Sequence, residues 1–149
     1  MKKLAAMVVA FCMVINSFGI DLSTIPTTDA DWTSFLDAVA IVESNGRTDV
    51  VVTDTNGKLS VGCLQIQQPY LTDSRLSYTL NDMKDRAKSY EVARAYLTRY
   101  GSAYTRRTGK PATIEVLIRI HNGGPQGWLK KSTDPYVEKI KKVQTTTQT

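Results

Sequence analysis

The chain has 149 residues, enough for one ordinary domain, and its 42% hydrophobic and 22% charged content excludes collagen-like and disordered classes. Nineteen Lys and Arg against 14 Asp and Glu give a net charge of +5, which disfavours an acidic protein and permits an anionic partner. Two cysteines are too few for a disulfide-stapled scaffold.

The N-terminus reads as an export signal. Lys2 and Lys3 are followed by an uncharged apolar run from Leu4 to Ile15, and Ser17-Phe18-Gly19 offers the small residues that precede a signal-peptidase cut. That run is shorter than the about 20 residues needed to span a bilayer. Residues 1–19 are therefore expected to be a signal peptide, giving a secreted or periplasmic protein with no stable membrane anchor after cleavage. Phe11 stands where a lipoprotein signal before Cys12 would need a small residue. Losing Lys2 and Lys3 leaves 17 basic against 14 acidic residues. No basic stripe carries interleaved aromatics, so no nucleic-acid partner is expected. With Cys12 gone, Cys63 is the sole mature cysteine and no internal disulfide can form.

Residues 20–30, with Thr and Pro, form a short leader. From Asp31, Trp32, Phe35, Leu36, Val39 and Val42 recur at helical spacing up to Gly46. Asp49 to Asp54 and Lys58 to Val61 are β-prone runs flanking Asn56-Gly57, a hairpin signal. Gly62 to Tyr70 is expected to be a compact apolar turn ending at Pro69. A long helix is expected from about Asp82 to Tyr100, stopped by Gly101 and followed by a basic loop from Ser102 to Pro111. Ile114, Leu117, Ile118 and His121 share a face of a further helix that ends at Asn122-Gly123-Gly124-Pro125. Asp134 as N-cap and Pro135 at the first helical position open a last helix with Tyr136, Val137, Ile140 and Val143 inward. Residues 31–143 make one domain, and 144–149 are expected to be a flexible tail.

Two carboxylates are candidates for chemistry. Glu43 follows Ala40-Ile41-Val42, and an apolar setting would raise its pKa and keep a proton available for a leaving oxygen; alternatively it is a helix-terminal residue pointing into water. Asp54 is either an Asx-turn residue of the hairpin or a second carboxylate facing Glu43. In the second case their separation predicts stereochemistry, about 5–5.5 Å for retention and about 6.5–9.5 Å for inversion. Cys63 and His121 would make a thiol amidase or peptidase if they met. Their apolar neighbours instead suggest a buried thiol and a packed histidine. Gly123 and Gly124 allow close approach of a ligand to backbone, and Trp128 offers a flat face for a sugar ring.

At this point a resemblance emerges. Glu43-Ser44-Asn45-Gly46, Val61-Gly62-Cys63-Leu64-Gln65-Ile66 with Pro69-Tyr70, Tyr96-Leu97-Thr98-Arg99-Tyr100, and Arg119-Ile120-His121-Asn122-Gly123-Gly124-Pro125 occur in that order. Together they resemble the invertebrate-type (destabilase-like) lysozymes, within the lysozyme-like superfamily that includes lytic transglycosylases. The resemblance implies an α+β, mainly α, lysozyme-like fold with a small antiparallel β-hairpin after the first catalytic helix. It implies a muramidase that hydrolyses the β-1,4 bond between N-acetylmuramic acid and N-acetylglucosamine in peptidoglycan. Glu43 falls on the general acid and Asp54 on the second carboxylate, with Asp49 as a substitute. Ser44, Gln65, Tyr96, His121, Asn122, Gly123, Trp128 and Tyr136 are expected to bind the glycan.

No cofactor or metal is expected, since one His and one mature Cys cannot supply a closed site, and the protein is expected to be a monomer. A lytic transglycosylase using Glu43 alone, a silent wall-binding protein and a Cys63/His121 amidase are the alternatives. The family is rich in disulfides and this chain can form none, which points to a bacterial or phage relative. With a mature excess of three positive charges against an anionic wall, clearing of wall suspensions should slow as NaCl is raised through the range that shortens the Debye length. A rate that rises with salt would remove charge attraction from the picture.

Overall fold

The computed structural model describes residues 20–146; the expected signal peptide lies outside them. Helix α1 spans Asp29–Ser44 and begins two residues before Asp31 because Thr28 caps it. The Thr28 hydroxyl accepts from the Asp31 N–H, while the Asp31 carboxylate accepts from the Thr28 N–H, a reciprocal capping box. Asn45 ends the helix in the left-handed conformation. The expected apolar stripe is inward: Phe35 and Val39 are fully buried, with Trp32 and Leu36 beside them.

The hairpin follows as expected. Strands β1 (Val51–Thr53) and β2 (Leu59–Val61) pair antiparallel with Val52 opposite Ser60. Asp54 N–H donates to the Lys58 carbonyl and Gly57 N–H to the Asp54 carbonyl. Only Gly57 among the loop residues has a positive φ, so the chain reverses through a three-residue loop with glycine at its left-handed position.

Three expectations about the next stretch change. Pro69 opens an element instead of closing one: it sits in the first turn of helix α2, Gln68–Ser74, where its missing N–H costs nothing. A 3-10 helix over Leu80–Lys84 then leads into α3, which spans Arg86–Thr108 and is capped by Asp85. Gly101 does not stop α3, and residues 102–108 are helix, not loop. A Cβ at Gly101 would lie 3.0 Å from Leu117 Cδ2 and 3.2 Å from Ala112 Cβ. The glycine therefore buys close contact with the next helix at a propensity cost of about 1 kcal/mol. The actual stop is Gly109.

Helix α4 spans Ile114–Gly123, capped by Thr113. The leader is docked on it: Ile114 N–H donates to the Thr24 carbonyl at 2.8 Å and Glu115 N–H to that of Leu22 at 3.0 Å. These bonds satisfy first-turn donors that no helix can satisfy internally. Two 3-10 helices, Gly127–Leu129 and Lys131–Thr133, lead into α5, Asp134–Thr146. Asp134 is already helical and, instead of capping, its carboxylate accepts from Arg119. Backbone is helical through Thr146, and the last three residues lie outside those described.

The core is a helical layer. α1 packs on α5 and α3, α3 on α2 and α4, and α4 on α5, around Phe35, Val39, Leu97, Ile118, Ile120 and Ile140. The hairpin stands to one side of the end of α1, its return anchored by Gly62. No helix among the described residues is long and apolar enough to cross a membrane.

Gly62 has φ +79°, and a Cβ there would meet the Met83 carbonyl oxygen at 1.8 Å; Gly57 has φ +76° but open space around it. Gly57→Ala should therefore cost about 1 kcal/mol from backbone strain alone. Gly62→Ala, which must also displace main chain, should cost about 3 kcal/mol or more. Thermal unfolding of the two variants measures the difference; equal losses would mean the Met83 contact is easily relieved.

Candidate active site

Glu43 lies four residues after Val39 on α1, so it leaves the helix on the buried side. Its Oε1 accepts from Tyr136 Oη of α5 at 2.5 Å and lies 3.5 Å from His121 Nε2 of α4. The glutamate side chain is 21% exposed and that of His121 only 5%. On its other side, His121 Nδ1 is 3.1 Å from Tyr70 Oη. Tyr70 in turn stacks on Tyr96 of α3, with ring centroids 3.6 Å apart and planes at 17°. Helices α4 and α5 thus meet α1 at one carboxylate, with α2 and α3 behind His121.

Burial is the largest single influence on Glu43 and works to keep it protonated. Hydrogen bonds from His121 and Tyr136, the charge of His121 and the Lys139 ammonium together outweigh it. The carboxyl therefore titrates below the ordinary glutamate value, which corrects the expectation that apolar surroundings hold it protonated. Sequence neighbours gave it an apolar setting; the donors came from 78 and 93 residues away. Burial, with the same carboxylate beside it, pushes the Tyr136 phenol well above its usual value.

A cleft of about 590 Å³ opens in front of Glu43. The hairpin wall supplies Val52, Asp54 and Ser60, and the return from it Gln65 and Gln67. The helical wall supplies Tyr70, Asp73, Tyr96, His121 and Asn122, with Gly124 and Pro125 at one end. Asp54 Oδ2 accepts from Ser60 Oγ at 3.0 Å and also from Gln67 Nε2, so its direction is fixed by β2 and the segment after it. Asp49 is exposed and does not line the cleft. Gln65, held with φ +50°, donates from Nε2 to the Gly62 carbonyl at 2.8 Å.

Several expected contacts lie elsewhere. Ser44 is buried, its hydroxyl placed against the carbonyls of Ala40 and Cys63, where it ties the end of α1 to the hairpin return. Gly123 packs on Thr133, and its neighbour Gly124 lines the cleft instead. Tyr136 is behind Glu43, 8% exposed, and does not line the cleft. Trp128 packs edge-on to Tyr104, centroids 5.0 Å apart, beneath the Arg107 guanidinium at the far end of α3. The turn that carries it away is forced by Gly127, whose Cβ would lie 1.9 Å from the Arg119 carbonyl. Cys63 is fully buried and burial raises its thiol, while His121 faces Glu43 and Tyr70. A thiol–imidazole pair is therefore not formed.

Ser60, Gln67, Tyr70 and Asp73 were not singled out for roles in the sequence. Strand alternation carries a signal for one of them: Val52 and Asp54 share a face, and Ser60 is the cross-strand partner of Val52. Among the described residues no group of three or more His, Cys, Asp or Glu is placed to hold a metal ion. A larger groove of about 740 Å³, lined by Trp32, Arg94, Leu97 and Leu117 among others, contains no carboxylate, imidazole or thiol.

No family model matches the chain. Lysozyme of Ostrea edulis is 31% identical over 121 residues, covering 80% of this chain and 86% of that protein. The chain belongs to the invertebrate-type lysozymes. The invertebrate-type lysozyme of Ruditapes philippinarum is 29% identical over 102 residues, 68% of this chain and 74% of that protein. The crystal structure of inhibitor-bound lysozyme from Meretrix lusoria superposes with a TM-score of 0.64 at 30% identity, covering 73% of this chain and 87% of that one. Tapes japonica lysozyme gives a TM-score of 0.62, also at 30% identity, over 71% and 85%. The family assignment makes the chain a glycoside hydrolase of lysozyme type.

Because the Glu43 carboxyl is lowered in the folded state, its pairing stabilises the protein above the ordinary carboxylate range and is lost as pH falls through the folded value. Tyr136→Phe should then cost about 1–2 kcal/mol at neutral pH and much less near pH ~3. Calorimetric Tm values at the two pH values test this; an equal loss at both would assign the hydroxyl to packing alone.

Proposed function

We propose that the chain is an exported muramidase that hydrolyses the β-1,4 bond between N-acetylmuramic acid and N-acetylglucosamine, with Glu43 as general acid and Asp54 as its partner. The observation that carries this reading is that both carboxylates line one cleft from opposite walls, in different surroundings. Two carboxyls tuned differently are what glycoside cleavage uses. Glu43 protonates the leaving oxygen. Asp54 stabilises the oxocarbenium-like transition state or attacks it, and the same Glu43 then takes a proton from water.

Gln65, Tyr96, His121 and Asn122 are the proposed glycan contacts that line this cleft, and Tyr70 and Asp73 join them. The export signal read in residues 1–19 supports action on the wall from outside the membrane. The presence of Asp54 in the cleft favours hydrolysis over a transglycosylase reaction in which Glu43 works alone.

Mass spectrometry of soluble products from purified peptidoglycan tests the proposal. Mature wild type should release muropeptides with reducing ends. Glu43→Gln should lose about three orders of magnitude in rate and Asp54→Asn about two, while Cys63→Ala keeps the same products. Anhydro products would make the enzyme a lytic transglycosylase. Free peptides that vanish in Cys63→Ala would replace the glycosidase reading altogether.

A further inference from the structure

A general acid whose neighbours favour its charged form needs a nearby source for the proton it delivers. Tyr136 touches Glu43 at 2.5 Å, but burial and the carboxylate hold that phenol's proton firmly. Tyr70, one residue further along the chain of contacts, is held in the same way. His121 Nε2 is the remaining neighbour, 3.5 Å from Oε1, and imidazole is the side chain that ordinarily exchanges a proton near neutrality. Its ring cannot turn freely: Nδ1 meets Tyr70 Oη at 3.1 Å, and Tyr70 is clamped by stacking on Tyr96.

We propose that Glu43 and His121 hold one proton between them, and that covering of the cleft by glycan moves it from His121 Nε2 to the Glu43 carboxyl. The proposal rests on the reading of Glu43 as the acid. In the open cleft the ionised Glu43 carboxyl is favoured by its hydrogen bonds from His121 and Tyr136 and by the charge of Lys139 on α5. A sugar ring that expels water leaves two charges in an apolar space, where the neutral pair is favoured. The 3.5 Å contact is of the kind that shortens when substrate binds. Asp54 from the hairpin and Asp73 from α2 line the same cleft, and their charge favours keeping a proton on the pair.

The step balances without any co-reactant. The Nε2–H bond breaks and its electron pair stays on the imidazole, while an O–H bond forms on Glu43. That proton passes to the glycosidic oxygen as the C–O bond breaks. The water that closes the cycle gives hydroxide to the sugar and a proton to Glu43, from which it returns to Nε2. His121 thus acts through Glu43 as a positioning residue.

His121 is the chain's single histidine, so its ring nitrogens can be followed directly by ¹⁵N NMR. Interacting sites titrate as a pair. In the mature wild type the ring should show two titration steps, its own and that of Glu43, and Glu43→Gln should leave one. At fixed pH, tetra-N-acetylchitotetraose should move the ring signals toward neutral imidazole. On peptidoglycan, His121→Gln should lower kcat at neutral pH about tenfold and shift the alkaline limb of the rate profile to lower pH. A single step in both proteins, a ring driven toward imidazolium by the oligosaccharide, or a rate reduced equally at every pH would overturn the proposal. Two-step titration in a wild type that releases no glycan fragments would overturn the muramidase reading and leave the shared proton standing.

Discussion

The carboxylate at the inner end of α1 sets the terms for the elements around it. An ionised carboxyl removed from water must be met by donors, and here they come from separate helices: His121 on α4 and Tyr136 on α5. Satisfying Glu43 therefore requires α4 and α5 to converge on the last turn of α1. The earlier turns of α1 carry Phe35, Leu36 and Val39 in the core. Glu43 is thus a rigid extension of the packed interior, and its geometry is as fixed as the core itself.

The opposite wall follows a different physical rule. Asp54 stands on a two-stranded hairpin, an element that has little stability alone. Its direction comes from Ser60 and Gln67, and the hairpin's position from the close approach of Gly62 to the Met83 carbonyl. One carboxylate is set by burial and long-range donors, the other by local polar contacts at the edge of a small sheet. That asymmetry gives two chemically similar groups different settings in one cleft, which is what the proposed reaction requires of them. Tyr70 links the walls, since α2 follows directly from the hairpin return and its ring touches both Tyr96 and His121.

Much of this was readable from local pattern. The apolar period of α1, the Asn56-Gly57 hairpin and the stripe of α4 are short-range features, and each appears where expected. Glu43 and Asp54 were legible because they terminate such elements. Glycine misled where its role was tertiary: Gly101 marks close packing of α3 on α4, while Gly109 marks the stop. Gly127 turned Trp128 toward Tyr104 and Arg107, an outcome invisible without knowing that the Arg119 carbonyl lies beneath it.

The sequence by itself determined helices α1, α4 and α5, the hairpin and the two candidate carboxylates, because helical period, strand alternation and turn chemistry act over a few residues. Only the tertiary structure decided the protonation of Glu43, the roles of Tyr70 and Tyr136, and the exclusion of Trp128 and Cys63 from the cleft. Charge state and cleft membership depend on which groups packing brings within hydrogen-bond reach, and those groups lie up to 93 residues apart in the chain.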